Sequence, residues 1–209
     1  MIEYPSIQNS SKAPRKPCIA FEKLDGSNFR AKWTKKKGFH VFGTRTQLID
    51  ETTPFWSDMV NVFRNTLEEE LVRLFEKEFK NDKEIIVFGE YLGENSFAGI
   101  HASEDKKKII PFDVLVVNNQ RKFLKPQDFI KTIGKRFETP RVIYHGNLNE
   151  EFIENVRKNK FDLFEGVICK GTSSVGNSFG GIWQCKIKTN DYLQKLKDRF
   201  QENWTKYGE

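Results

Sequence analysis

The sequence predicts an α+β fold built on antiparallel sheets with helices packed outside them. Three observations carry this reading. Apolar and polar residues alternate with period two near 18–24, 27–34 and 39–45, as in a meander of half-buried strands. Ile85–Tyr91 and Ile109–Val117 are near-continuous runs of branched and aromatic residues, the pattern of central strands. Between these groups one long segment shows three-to-four spacing. With 209 residues, 37% of them hydrophobic, the chain can bury one sizeable core, and a second full domain has no room. We therefore expect one domain over 1–209, with 1–17 a polar N-terminal extension.

Taken in order, the first strand ends at Phe21-Glu22-Lys23 and Asp25-Gly26 is a strong hairpin signal before the second. From Pro54 to Phe79, Met59, Val60, Phe63, Leu67, Leu71, Leu74, Phe75 and Phe79 recur at helical spacing, with Thr52 or Thr53 as a start signal. The stretch 94–108 reads as surface loop. Helices are predicted over 126–137 and 149–158 around a strand at 141–144. Strands at 164–170 and 182–189 flank a Gly/Ser-rich connector, and a last helix runs over 191–207.

The net charge of +6 favours a polyanionic partner such as nucleic acid. Cys18, Cys169 and Cys185 are odd in number and each lies in an apolar run, which argues for buried thiols in a reducing compartment. No C-x-x-C pair exists, and the three histidines are scattered, so a zinc site is not expected. The N-terminus lacks an apolar signal core and no stretch is long enough to span a bilayer, so a soluble, cytoplasmic protein is expected.

Lys23 stands at a strand end immediately before a turn, where a chain can present a lysine nucleophile to a cleft. A lysine at its ordinary pKa is protonated at neutral pH, so such a nucleophile needs neighbouring cations or burial. Lys186 and Lys188, two apart on a predicted strand, point to one face and suit a polyanion; a solvated strand edge is the other reading. Glu90 closes an apolar strand and Glu165 opens another. A carboxylate at the latter place suits Mg2+, which takes few protein oxygens and keeps waters. Lys35-Lys36-Lys37 reads as a hairpin tip or a phosphate contact.

Glu22-Lys23-x-Asp25-Gly26-Ser27-Asn28-Phe29, Phe88–Gly93, Pro111–Val114, Phe164–Lys170 and Trp183–Lys188 together resemble motifs I, III, IIIa, IV and V of the covalent nucleotidyltransferases. That superfamily comprises the ATP-dependent ligases and mRNA capping enzymes. Within it the Lys23 motif is most similar to RNA ligases of the phage T4 RNA ligase 2 type; DNA ligases and capping enzymes usually carry Arg at the place of Asn28. The resemblance covers about residues 18–190 and implies an ATP-grasp-like nucleotidyltransferase domain.

The resemblance implies residue roles. Lys23 attacks the α-phosphate of ATP to give lysyl-AMP, AMP passes to a 5′-phosphate, and a 3′-hydroxyl then seals the strand. Lys186 and Lys188 stabilise phosphate charge, Glu165 serves Mg2+ (or Mn2+), and Glu90 bonds the ribose. Phe112 stacks on the purine, Arg45 contacts nucleotide or RNA phosphate, and Glu22 reads the adenine amino group. Asp25, Gly26 and Asn28 complete the nucleotide site. Expected partners are ATP and RNA ends in a nicked duplex, bound by a monomer. About twenty residues follow Lys188, too few for an OB domain, so end binding falls to this domain, the last helix or an accessory protein. A minimal DNA ligase, a capping guanylyltransferase and an inactive RNA-binding module stay open as alternatives.

Overall fold

Two antiparallel sheets, each with its own hydrophobic core, organise the chain into two compact units in a computed structural model that describes residues 1–93, 106–173 and 179–206. The first unit comprises Met1–Tyr4, Gly26–Leu124 and Phe129–Thr139, and the second Pro5–Asp25, Lys125–Asp128 and Pro140–Glu209. The mixed α+β class read from the sequence is the one observed.

The strands in chain order are β1 (Gln8–Asn9), β2 (Pro17–Lys23), β3 (Ser27–Thr34), β4 (Gly38–Gly43), β5 (Leu48–Ile49), β6 (Glu84–Leu92), β7 (Lys108–Val117), β8 (Arg121–Phe123), β9 (Val142–Asn147), β10 (Gly166–Gly171) and β11 (Gln184–Lys188). The helices are α1 (Ser57–Phe63), α2 (Glu69–Glu78), α3 (Pro126–Thr132), α4 (Glu150–Arg157) and α5 (Asn190–Phe200).

In the first unit the sheet order is β5-β4-β3-β6-β7-β8. Strand alternation sends Phe29, Ala31 and Trp33 of β3 into the core, each no more than 1% exposed. There Phe29 meets Phe63 of α1 with ring centroids 5.2 Å apart, and Trp33 meets Phe75 of α2 edge-on at 5.7 Å. The other face of β3 carries Asn28, Arg30 and Lys32, paired across β6 with Glu90, Phe88 and Ile86. Two candidate nucleotide residues of the unit, Asn28 and Glu90, lie opposite each other on this pair of strands.

The helix expected from Pro54 starts only at Ser57. Phe55 has φ +65°, a left-handed conformation that cannot join a right-handed helix, and the Thr53 carbonyl instead accepts the N–H groups of Trp56 and Ser57. A π-helical segment, Arg64–Glu68, then links α1 to α2. The last helix breaks at Gln201, φ +46°, into a 3-10 segment over Gln201–Lys206, and α3 is shorter than predicted, ending at Thr132. The predicted loop 94–108 and the Gly/Ser connector fall largely outside the described residues.

In the second unit the order is β1-β11-β10-β2-β9, antiparallel except that β1 runs parallel to β11. Ala20, Val167, Cys169, Cys185 and Ile187 pack beneath Phe152, Ile153 and Val156 of α4. Cys18, Cys169 and Cys185 are all buried free thiols, as their apolar settings predict. The polar start is folded: Gln8 and Asn9 pair with β11, and Tyr4 is 9% exposed in the first unit. No described helix is long and apolar enough to cross a membrane.

Candidate active site

Lys23 is the last residue of β2, and Gly166 of β10 pairs with it on one side and with Lys188 of β11 on the other. Three adjacent strand ends thus bring residues far apart in sequence into one row. Gly166 is required here, because a β-carbon would lie 2.0 Å from the Ile187 carbonyl oxygen. Glu165 precedes it, its backbone carbonyl accepting from Thr189 N. Its side chain is shared: Lys23 Nζ lies 2.7 Å from Oε2 and Lys188 Nζ 3.3 Å from Oε1.

Burial differs within the cluster. The Glu165 and Lys188 side chains are 3% and 6% exposed and that of Lys23 26%, so the lysine expected to react is the one solvent reaches. Burial is the largest influence on Lys188 and lowers its pKa; Glu165 opposes this, whereas Lys23 and Lys186 add to it as like charges. Along β11, Cys185 and Ile187 enter the core, leaving Gln184, Lys186 and Lys188 on the opposite side of the strand.

Tyr192 on α5 closes this group. Its hydroxyl donates to Asp25 Oδ1 at 3.1 Å, and its ring lies 5.0 Å from Lys188 Nζ. Burial first, then the Glu165 and Asp25 charges, push its hydroxyl pKa up, so it stays a donor. Thr189 caps the helix by accepting from Tyr192 N, which fixes where the ring enters. Glu22 goes elsewhere: its two oxygens accept from Arg141 Nε at 2.6 Å and Nη2 at 3.1 Å.

In the first unit, Gly26 N donates to Glu90 Oε1 at 3.1 Å, which fixes the carboxylate opposite Asn28. Gly26 has no room for a side chain, since a β-carbon would meet Tyr91 O at 2.4 Å. Asn28 Oδ1 is buried without a hydrogen-bond partner among the described residues, a polar atom that awaits a donor. Phe112 is half-buried, and Tyr4 meets its ring edge-on at 5.0 Å while donating to Asp113 Oδ2 at 2.9 Å. Arg45 is exposed in the turn after β4.

Lys23, Glu165 and Lys188 are therefore joined directly, with Asp25 attached through Tyr192 and Lys186 neighbouring Lys188. Gly26, Asn28 and Glu90 form a second group, beside Phe112 on the adjacent strand. Sequence reasoning missed Tyr4, Arg141 and Tyr192, because each is recognised by a long-range partner and not by a local pattern. It also missed Arg30, a guanidinium 2% exposed on the Asn28 face, whose Nη1 lies 3.4 Å from Met1 O. Only the strand alternation that put Arg30 beside Asn28 hinted at it.

The fold recurs in solved structures of Naegleria gruberi RNA ligase. An apo variant superposes with TM-score 0.68 at 18% identity, over 95% of this chain and 58% of that one. A variant with ATP and Mn gives TM-score 0.67 at 18% identity, covering 95% and 59%. The form with PPi gives 0.68 at 18%, again over 95% and 59%. This chain thus spans less than two thirds of the length of those ligases. No curated protein matches the sequence. The RNA ligase family signature matches residues 16–189, a span from β2 through β11 that holds nearly every candidate residue, and the chain belongs to the RNA ligase family.

Proposed function

We propose that this chain is the adenylyltransferase domain of an ATP-dependent RNA ligase that works through lysyl-AMP. The observation that carries the reading is the shared carboxylate of Glu165 between Lys23 and Lys188 in a member of the RNA ligase family. Lys23 Nζ, having lost a proton to Glu165 or solvent, attacks the α-phosphorus; an N–P bond forms and pyrophosphate leaves. The AMP then moves to a 5′-phosphate, freeing Lys23, and a 3′-hydroxyl displaces AMP to seal the strand. Ligands in the solved relatives, ATP, AMP, PPi and Mn, are the groups such a cycle handles.

Lys188 and Lys186 neutralise charge that grows on the phosphates in the transition state. Asn28 Oδ1, the unpartnered acceptor, takes a donor from the bound nucleotide, Glu90 bonds ribose hydroxyls and Phe112 stacks on the base. Glu22, with lone pairs left beside Arg141, serves the adenine amino group. Asp25, held by Tyr192, steadies the turn after the nucleophile, and Arg45 meets phosphate. Mg2+ or Mn2+ would be held by Glu165 through water and by substrate phosphates, since such an ion takes few protein oxygens and keeps waters. When bound, such an ion adds charge neutralisation at the phosphates.

The test is to incubate the protein with ATP, Mg2+ and a nicked RNA duplex bearing a 5′-phosphate beside a 3′-hydroxyl. A sealed strand with release of AMP is expected. Formation of protein-bound AMP without sealing, restored by a second protein, would instead make this chain one subunit of a larger ligase.

A further inference from the structure

Phe55 is the most exposed large apolar residue described, with 87% of its surface open, and it is also held at φ +65°. A bulky residue in that left-handed region is strained, and glycine would relax it. The strain is not a sign of a loose backbone. Asp50 Oδ1 accepts from Thr52 N at 2.9 Å, Thr52 Oγ1 at 2.7 Å and Thr53 Oγ1 at 3.0 Å. The Thr53 carbonyl takes Trp56 N at 3.2 Å and Ser57 N at 2.9 Å. The chain is pinned on both sides of Phe55, and the ring between the pins is presented to solvent.

Nearby in the chain lie Leu48, 57% exposed, and Arg45, also exposed, in the same excursion between β4 and α1. The acidic side chains of this excursion are engaged within the protein: Asp50 with its threonines and Glu51 Oε1 with Arg64 Nε at 2.6 Å. Resting on the RNA ligase reading, we infer that Phe55 is a stacking platform for a nucleobase of the bound polynucleotide. Every base has a π-face, so a fixed aromatic ring binds without regard to sequence, while cationic side chains take the phosphates. A protein partner fits less well, because two apolar side chains fall short of the core of a stable protein interface, and the net charge of +6 favours a polyanion.

The test compares the wild-type chain with Phe55→Ala, Phe55→Gly and Phe55→Trp. Equilibrium binding to a fluorescently labelled nicked RNA duplex should weaken about tenfold in the Ala and Gly variants and be kept in Trp, since one stacked base is worth about that factor. Phe55→Gly should melt no lower than wild type, which separates lost stacking from lost folding. Lysyl-AMP formation should be unchanged in all three. Equal binding by Phe55→Ala and wild type, or a parallel loss of self-adenylylation, would overturn the inference. Duplex binding is read without catalysis, so it tests Phe55 even if the wild-type chain seals nothing. A change of oligomeric state in place of a change in RNA affinity would make Phe55 a self-association contact and would likewise overturn it.

Discussion

Glu165 accepts from Lys23 at 2.7 Å through one carboxylate oxygen and lies 3.3 Å from Lys188 through the other, so one buried acid holds two ammonium groups together. Removing its charge leaves the two cations without their shared counter-charge and deprives Lys23 of a proton acceptor at 2.7 Å. Glu165→Gln should slow lysyl-AMP formation by about a hundredfold or more, the usual scale for a lost proton acceptor. It should also lower stability by up to about 3 kcal/mol, as breaking a largely buried ion pair does. Single-turnover labelling and thermal melting measure the two effects. Wild-type rates would remove Glu165 from the chemistry.

Lys188 gives a pH signature. Burial sets its folded pKa below the unfolded 10.5, so between those two values the unfolded chain binds more protons than the folded one. Stability of the wild type relative to Lys188→Met should therefore rise as pH climbs from the lowered folded value towards 10.5, and be flat below it. Melting temperatures of both proteins across that alkaline window check the sign. A gap that shrinks with rising pH would show that the ion pair with Glu165 outweighs burial.

Tyr4 ties two neighbouring residues of β7, its ring against Phe112 and its hydroxyl on Asp113. Tyr4→Phe should cost about 1–3 kcal/mol of stability, because a buried carboxylate loses a donor. If Phe112 stacks on the purine as proposed, Tyr4→Ala should in addition raise the KM for ATP in lysyl-AMP formation several-fold with little change in the maximal rate, since the ring loses its edge-on support. Single-turnover labelling across a range of ATP concentrations, together with thermal melting, distinguishes the effects in both variants. An unchanged KM in Tyr4→Ala would confine Tyr4 to packing.

Strand positions were legible because period two is a local property: Cys185 and Ile187 go inward, and Lys186 and Lys188 stay out of the core. The hairpin expected at Asp25-Gly26 is absent: β2 pairs with β9 and β10 and β3 with β4 and β6, in different sheets, because a local turn signal marks where a strand ends but not which strand it pairs with. The start of α1 was not legible, because Pro54 is a good first helical residue and only the left-handed Phe55 denies it that place. Glu22–Arg141 and Asp25–Tyr192 join residues more than a hundred positions apart, and no spacing rule reaches that far. The depth of Lys188, 5% exposed, was hidden too, since a lysine on a strand edge reads as solvated until α5 is laid over it.

Covalent labelling reads the Lys23 nucleophile itself. Incubation with Mg2+ and ATP labelled at the α-phosphate, followed by a denaturing gel, should give a protein-bound label that is acid-labile and alkali-stable, as a phosphoramidate is. Labelled GTP should give none, and Lys23→Ala should give none with ATP while keeping the wild-type melting profile to within a few degrees. Undiminished labelling of Lys23→Ala, or no label on the wild type at any pH, would contradict a lysyl-AMP ligase built on Lys23.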